Sequence, residues 1–409
     1  MPLRWREEEP AEICEERVNR QSEKILVVAD DLTGAAELAG VGLRYGMLVA
    51  LGTCLPSEAE TDLTVIDTKS RSLSEENAVR ALDGLARQIH SSKRWDLIYK
   101  KTDSVLRGHV KKELESLLEG LGIPAALLIP ANPSFGRTIQ SGRYFLGGVP
   151  LHNTDFRQDP EYPRTTDDVL ALLNENKVDV HYLPCGRPLP GSGVAIAEAK
   201  SAADLRLWAR HVTHSVLPAG GAEFFQAILE ATGRSEIRKE KELFPLAGKK
   251  VLLICGTASS YSHGRRTEWK RAGLPVLELQ PDDFLDDASG CRNLPRWVDG
   301  VREAFARKDF VVAGVALPVH PGAGPAHRIA EGMALVFSEV IRKEQPEELL
   351  IEGGATATVL FEHLNWSCFQ PLEELAMGVT RLCPKDRMKP VVTLKPGSYP
   401  WPDQLLFPG

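Results

Sequence analysis

Short apolar, largely β-branched runs recur along the chain, and the segments between them space their apolar positions as helices do. In the first half the runs are Lys24–Ala29, Met47–Leu51, Leu63–Asp67, Leu97–Lys100 and Ala125–Ile129. Helices are predicted over Ala35–Arg44, Glu75–Ile89 and Lys111–Leu121. This alternation is the rhythm of parallel α/β folds and not of all-β sandwiches. It breaks after Pro150 into a polar, proline-bearing stretch through Pro163, too long for a tight connection and therefore read as a functional loop. Strand-like segments resume at Val180–Leu183 and Val194–Ala197, and the charged stretch Gly233–Glu242 reads as a linker or an exposed helix end. A second α/β rhythm follows: strands at Lys250–Cys255, Asp309–Leu317 and Leu349–Glu352, and helices at Arg265–Arg271 and Ala326–Arg342. The expectation is two α/β domains, residues 23–235 and 245–409, each with a mainly parallel sheet flanked by helices, after an N-terminal extension over residues 1–22.

Composition narrows the classes of partner. The 409 residues carry a formal net charge of -7 with basic residues spread out, which leaves no electrostatic footprint for nucleic acid or an anionic membrane. No apolar run approaches the roughly 20 residues of a membrane span, and the charged N-terminus does not read as a signal peptide, so a cytoplasmic protein with a small-molecule partner is expected. The seven cysteines are scattered singly without a C-x-x-C pair and indicate neither a zinc site nor a disulfide framework. No metal ligands are identified. The oligomeric state is open, with a homodimer among the options.

Chemistry concentrates where strands end. Asp30-Asp31-Leu32-Thr33-Gly34 places two adjacent carboxylates at the end of the first run, where an open sheet has its crevice. Such a pair needs a cation, a proton or a hydroxyl-rich ligand between its members; the plain alternative is that Asp31 or Thr33 caps the helix that follows. Lys101-Thr102-Asp103-Ser104 with Arg107-Gly108 ends another strand. Here Arg107 suits a carboxylate bidentately, Lys101 adds a point charge, and Asp103 could accept a substrate proton. The strand Ala125–Ile129 runs into Pro130–Thr138, with Gly136 and Arg137. In the second half, Gly256-Thr257-Ala258-Ser259-Ser260 and Gly353-Gly354-Ala355-Thr356-Ala357 follow strands and suit phosphate through backbone amides. Neither is a Walker A loop nor G-x-G-x-x-G, which disfavours a dehydrogenase.

Together these segments resemble the four-carbon acid sugar kinase family. The motifs are Asp30–Ala35, Lys101–Gly108, Pro130–Thr138 and Gly148–Pro160, with weaker ones at Gly353–Ala357 and Lys395–Tyr399. The resemblance implies a sugar-acid-binding N-terminal domain and a nucleotide-binding C-terminal domain, with the active site in the cleft between them. It further implies phosphorylation by ATP with Mg2+ of a terminal hydroxyl of an erythronate-, threonate- or 3-oxo-tetronate-like acid. On that reading Arg107 and Arg137 face the substrate carboxylate or the transferring phosphoryl group. Asp30, Asp31 and Asp103 bind hydroxyls, with Asp31, Asp103 and Arg107 as the catalytic candidates. Lys101, Ser104, Gly136, His152 and Asp159 complete the acid site. Ser259, Gly353, Gly354, Ala355, Thr356 and Gly397 line the nucleotide.

Two departures stand out. The family's glycine loop usually reads Gly-Gly-Asp-Thr-Ala, whereas Ala355 stands at its third position here, and Pro400 replaces the glycine that closes the C-terminal motif. One carboxylate is thereby missing, and a catalytically weak member that only binds the acid or the nucleotide is the alternative that Ala355 favours.

Overall fold

The computed structural model describes residues 23–56, 60–159, 161–173, 180–237, 243–257, 260–280, 283, 293–316, 326–385, 387, 389–397 and 399–407. The first half contains β1 (Ile25–Ala29), β2 (Val49–Gly52), β3 (Leu63–Asp67), β4 (Leu97–Lys101) and β5 (Ala125–Ile129). A small antiparallel sheet follows, made of β6 (Arg137–Gln140), β7 (Arg143–Leu146) and β8 (Val149–Pro150), and then come β9 (Val180–Leu183), β10 (Gly193–Ala197) and β11 (Val216–Gly220). The second half contains β12 (Phe244–Pro245), β13 (Val251–Cys255), β14 (Val276–Leu279), β15 (Phe310–Val315) and β16 (Glu348–Glu352), followed by β17 (Cys368–Ala376), β18 (Val379–Pro384), β19 (Val391–Lys395) and β20 (Leu405–Leu406).

The predicted runs form strands, and those inside the sheet do so with both faces covered, unlike the edge strand β9. In β1 all five residues are buried; Ile25, Val27 and Ala29 point into one core and Leu26 and Val28 into another. The helix Leu32–Arg44 covers the first of these faces and Glu75–Ser92 with Val110–Leu121 the second. Similarly, Leu252 and Ile254 of β13 face one core while Val251, Leu253 and Cys255 face a third with Trp269 and Trp401. Continuous apolar strands of this kind are the mark of parallel sheets covered on both sides.

The strands join into one 15-stranded sheet in the order β14-β15-β13-β16-β19-β18-β17-β2-β3-β1-β4-β11-β5-β10-β9. Both halves therefore begin alike: the first strand of each (β1, β13) has the third (β3, β15) on one side and the fourth (β4, β16) on the other. The chain reverses direction across the sheet at β1/β4 and again at β13/β16. Crevices at such reversals are where open α/β sheets bind ligands.

An antiparallel seam links the halves, with Cys368 paired to Gly52 and Phe369 to Leu51. Because β18 is antiparallel to both β17 and β19, the parallel strands of the two halves run in opposite senses within the sheet. Six interstrand steps separate β16 from β1, and at roughly 20–25° per step the sheet turns by about 120–150° between them. That turn offsets the opposed polarity and swings the two strand-end crevices toward each other. The helix Leu32–Arg44 follows the turn, since its Gly40 leaves room for Glu374 and Thr380: a methyl group there would lie 2.9 Å from atoms of each.

Candidate active site

Polar side chains from the ends of β1, β3 and β4 meet in a cavity of about 70 Å³ lined by, among others, Asp31, Glu37, Arg71, Lys101, Asp103, Arg107, Arg137 and Tyr399. Asp31 caps the helix Leu32–Arg44, accepting from the Gly34 amide at 3.0 Å and the Thr33 hydroxyl at 2.5 Å. Asp31 thus takes the capping role read as the plain alternative in sequence, and it also lines the cavity.

Arg71, on a single 3-10 turn (Ser70–Ser72) after β3, was not singled out by sequence and organises the cluster. Its Nε and Nη2 bond Asp30 bidentately, each at 2.9 Å, and Nη2 also reaches Asp31 at 2.8 Å. Nη1 lies 3.6 Å from Asp103. Burial alone would push the Asp30 carboxyl up, but Arg71 and then Lys100 outweigh it and hold it below the usual range. For Asp103 the same burial is outweighed by Arg107 and Arg71, which keep it well below that range. Breaking a buried pair of this kind by removing one partner costs about 3–5 kcal/mol, because the other charge is left uncompensated. Asp67, at the end of β3, has no such cation; burial beside Asp31 pushes it up to about 7.

The remaining cations differ in whether they are already paired. Lys101 Nζ is 3.1 Å from Glu37, and Arg107 bonds Asp103 at 2.8 Å and Asp159 at 3.0 Å. Arg137 meets no carboxylate among the described residues: its Nη1 donates to the Ser104 hydroxyl at 2.5 Å and lies 3.5 Å from the Tyr399 hydroxyl, and its buried Nε has no partner. Arg137 is 9% exposed. A buried guanidinium at a cavity wall with no counter-charge is set up to receive an anion.

Not every candidate lines this cavity. Gly136, at φ +66, ends the turn Pro133–Phe135 and aims the strand that carries Arg137. Asp159 holds Arg107 from behind and accepts the Glu161 and Tyr162 amides. His152 sits away from the cavity, its Nδ1 3.4 Å from Asp167.

The second crevice is built from backbone and small side chains. Three loops, after β13, β16 and β19, touch there: a methyl group on Gly256 would fall 2.2 Å from Thr356 Oγ1, and one on Gly397 would fall 2.6 Å from Thr257 Oγ1. Gly353, at φ +104, would meet the Gly256 carbonyl at 3.3 Å. The helix Gly354–His363 opens at this point with no side-chain cap, so its first amides face the crevice. Thr356 is buried and Ala355 exposed, while Ser259 lies outside the described residues. Under the loops, Glu352 accepts from Ser262 at 2.5 Å and from Trp401 Nε1 at 2.6 Å. Lys395 donates to the Tyr399 carbonyl at 2.6 Å and lies 3.5 Å from Glu352. Neither was given a role from sequence: Glu352 reads as the last residue of a strand, and Lys395 only as the head of the Lys395–Tyr399 motif.

The two crevices share a wall. A methyl group on Gly354 would lie 2.9 Å from Thr33 Cγ2 and 3.3 Å from Asp31 Oδ2. Tyr399, two residues beyond Gly397, lines the acidic cavity with its ring stacked on Phe135 at 5.1 Å and under the Arg137 guanidinium at 5.8 Å.

The chain is similar to known proteins in sequence and fold. Residues 25–228 match the model of a sugar-binding N-terminal domain. A 3-oxo-tetronate kinase of Brucella melitensis is 24% identical over 86% of this chain and 88% of its own length. A D-erythronate kinase of Heliobacterium modesticaldum is 32% identical over 44% of this chain and 42% of its own. Among solved structures, a Haemophilus influenzae protein of the DUF1537 family superposes with a TM-score of 0.63 at 20% identity, over 93% of this chain and 98% of that one. With the motifs at the strand ends, the sugar-binding domain match over residues 25–228 and the Brucella melitensis relative matching over 86% of the chain, the protein belongs to the four-carbon acid sugar kinase family.

Proposed function

We propose that this chain is an ATP-dependent kinase that phosphorylates a terminal hydroxyl of a four-carbon acid sugar of the 3-oxo-tetronate, threonate or erythronate type. The supporting observation is the shared wall: Gly354, at the head of the glycine cradle, packs on Thr33 and Asp31 of the acidic cavity. Transfer between two bound substrates needs this closeness more than it needs covalent help from the protein. In this reading residues 23–235 hold the acid and residues 245–409 the nucleotide.

Arg137 takes the acid's carboxylate, since it is the cavity-lining cation without a carboxylate partner among the described residues. Asp31 and Asp103 accept hydroxyl protons, and Asp103, held ionised by Arg107 and Arg71, orients the attacking hydroxyl. A carboxylate held so far down is a weak base, which suits a reaction whose acceptor loses its proton late. The amides of Gly354–Thr356 and the loops at Gly256 and Gly397 hold phosphate oxygens. When bound, Mg2+ neutralises phosphate charge. The donor set for a protein-held ion does not fit: among the described residues no three His, Cys, Asp or Glu side chains are grouped to hold a metal, and Arg71 occupies the carboxylates of the cavity. Mg2+ accordingly enters with the nucleotide. Use of ATP goes with a cytoplasmic location, and no helix of the described residues is long and apolar enough to cross a membrane.

The test is ADP release from ATP and Mg2+ with a panel of D- and L-threonate, D-erythronate and their 3-oxo forms, with Asp103→Ala as control. Turnover of one acid, lost in the control, is expected. Binding of an acid without turnover of any would replace the kinase with a binding protein.

A further inference from the structure

We infer, resting on the kinase reading for the reaction though not for the contacts, that Arg71 is the positioning residue of the acceptor site: one guanidinium gathers Asp30, Asp31 and Asp103 and fills the place where a divalent cation would otherwise be drawn to them.

Three features carry this. The first is coverage. Arg71 reaches each of the three carboxylates, and its fork is spent on Asp30 and Asp31 while Nη1 faces Asp103. An ammonium, being a point charge without a fork, could not span the same three. The second is anchorage at both ends. The Arg71 amide donates to the Asp30 carbonyl at 3.1 Å, and its own carbonyl accepts from the Tyr162 hydroxyl at 2.5 Å. Gly108, at φ +86, lies against the side-chain stem, where an added methyl group would be 3.3 Å from Arg71 Cγ. A side chain fixed along its whole length holds its partners with little loss of rotamer freedom.

The third is the chemistry of what Arg71 displaces. Three carboxylates at the ends of neighbouring strands repel one another; with Arg71 in place they are not grouped to hold a metal, and once it is removed they are free to close on a hard divalent ion, which takes oxygen ligands. A guanidinium in the same place supplies the charge permanently, without an exchangeable coordination sphere. The acceptor hydroxyl then meets ordered acceptors, and the metal that accompanies the nucleotide is not captured on the wrong side of the transferring phosphoryl group.

The experiment compares wild type with Arg71→Ala and Arg71→Lys, each first checked by thermal melting and ATP binding. Mn2+ binding without nucleotide is followed by electron paramagnetic resonance, and kcat and KM for acid and ATP are measured with and without added guanidinium ion. Wild type is expected to show no Mn2+ site at these carboxylates. Arg71→Ala should gain one that a second change, Asp103→Asn, weakens. It should also lose about 100-fold in kcat while its KM for ATP moves less than about threefold, as for a group that positions the acceptor alone. Guanidinium ion should displace the Mn2+ and restore at least about tenfold of the rate. Arg71→Lys should show an intermediate kcat. A folded Arg71→Ala with neither Mn2+ gain nor guanidinium rescue would reduce Arg71 to a structural residue, as would a Mn2+ site at these carboxylates in wild type. If Arg71→Ala does not fold, Arg71→Lys and Arg71→Gln are put through the same measurements. If wild type phosphorylates no acid, the kinase reading falls, and the Mn2+ and guanidinium measurements still decide the role of Arg71.

Discussion

The cavity at β1/β4 and the cradle at β13/β16 occupy equivalent places in two strand sets that begin in the same order, yet they are made of opposite materials. At β1/β4 the wall is Arg71, Lys101, Arg107 and Arg137 set against Asp31, Glu37 and Asp103. At β13/β16 it is Gly256, Gly353, Gly354 and Thr356, so close that added methyl groups would collide. A small polyhydroxy acid offers few atoms, and each must be met by a chosen side chain. A polyphosphate is a chain of anionic oxygens that repeated amides can follow. The strand order fixes where a ligand lies, and the material at that place fixes which ligand it is.

Variants can break the comparison from either side. Arg137→Ala removes the charged donor of the acid site and should raise KM for the acid about 100-fold, in keeping with the 1.5–3 kcal/mol of a hydrogen bond to a charged group, with KM for ATP unchanged in steady-state kinetics. Gly256→Val should do the converse. Its side chain would begin 2.2 Å from Thr356 Oγ1, and overpacking of about 2 kcal/mol predicts a rise of roughly 30-fold in KM for ATP, while calorimetric affinity for the acid stays near wild type. A variant that moved both constants equally would show the two sites to be one.

Asp67 sharpens the contrast through pH. Its folded pKa, about 7, lies above the ordinary 3.8 because of burial, so the folded state holds that proton more tightly than the unfolded one. From this group the protein loses stability as pH rises from about 4 to about 7, and the deficit, on the order of 4 kcal/mol, persists above that. Asp67→Asn keeps an oxygen for the Lys69 amide and should flatten the dependence, melting higher than wild type at pH 8 and alike at pH 4. The smallest effect is expected from Ala355→Asp. A carboxylate restored at this exposed place in the first turn of the helix should change the Mg2+ concentration needed for half-maximal rate by about threefold, with the KM for the acid unmoved.

Much of this could be read along the chain. The runs at β1, β5 and β13 are apolar throughout and those at β3 and β16 apolar in all but a few positions, because both faces are covered, and the polar clusters after β1, β4 and β5 stand where the crevice opens. Arg71 was missed although it obeys the same rule: Thr68-Lys69-Ser70-Arg71 follows β3, but it holds no carboxylate and no glycine beside its two cations. The antiparallel sheet β6–β8 runs from the end of the loop read at Pro130–Thr138 to the one read after Pro150, where no element was predicted; its signals were Gly142, Gly147 and Gly148, all at positive φ in its turns. The meeting of Tyr399 with Arg137 and the seam at Gly52 and Leu51 could not have been found this way. They depend on residues about 260 and 315 positions apart meeting in space, and no local pattern encodes which distant strand edge will be a partner.

The seam also bears on how such a chain can change over generations. Since each strand between β16 and β1 adds its share of rotation, their number acts as the tooth count of a gear that keeps the cavity and the glycine cradle in phase. Strands gained or lost beyond β14 or β9 leave that phase alone, so variety in length should collect at the two outer rims. One strand more or fewer beside the seam would turn the donor away from its acceptor by roughly 20–25°, with every side chain of both sites still in place.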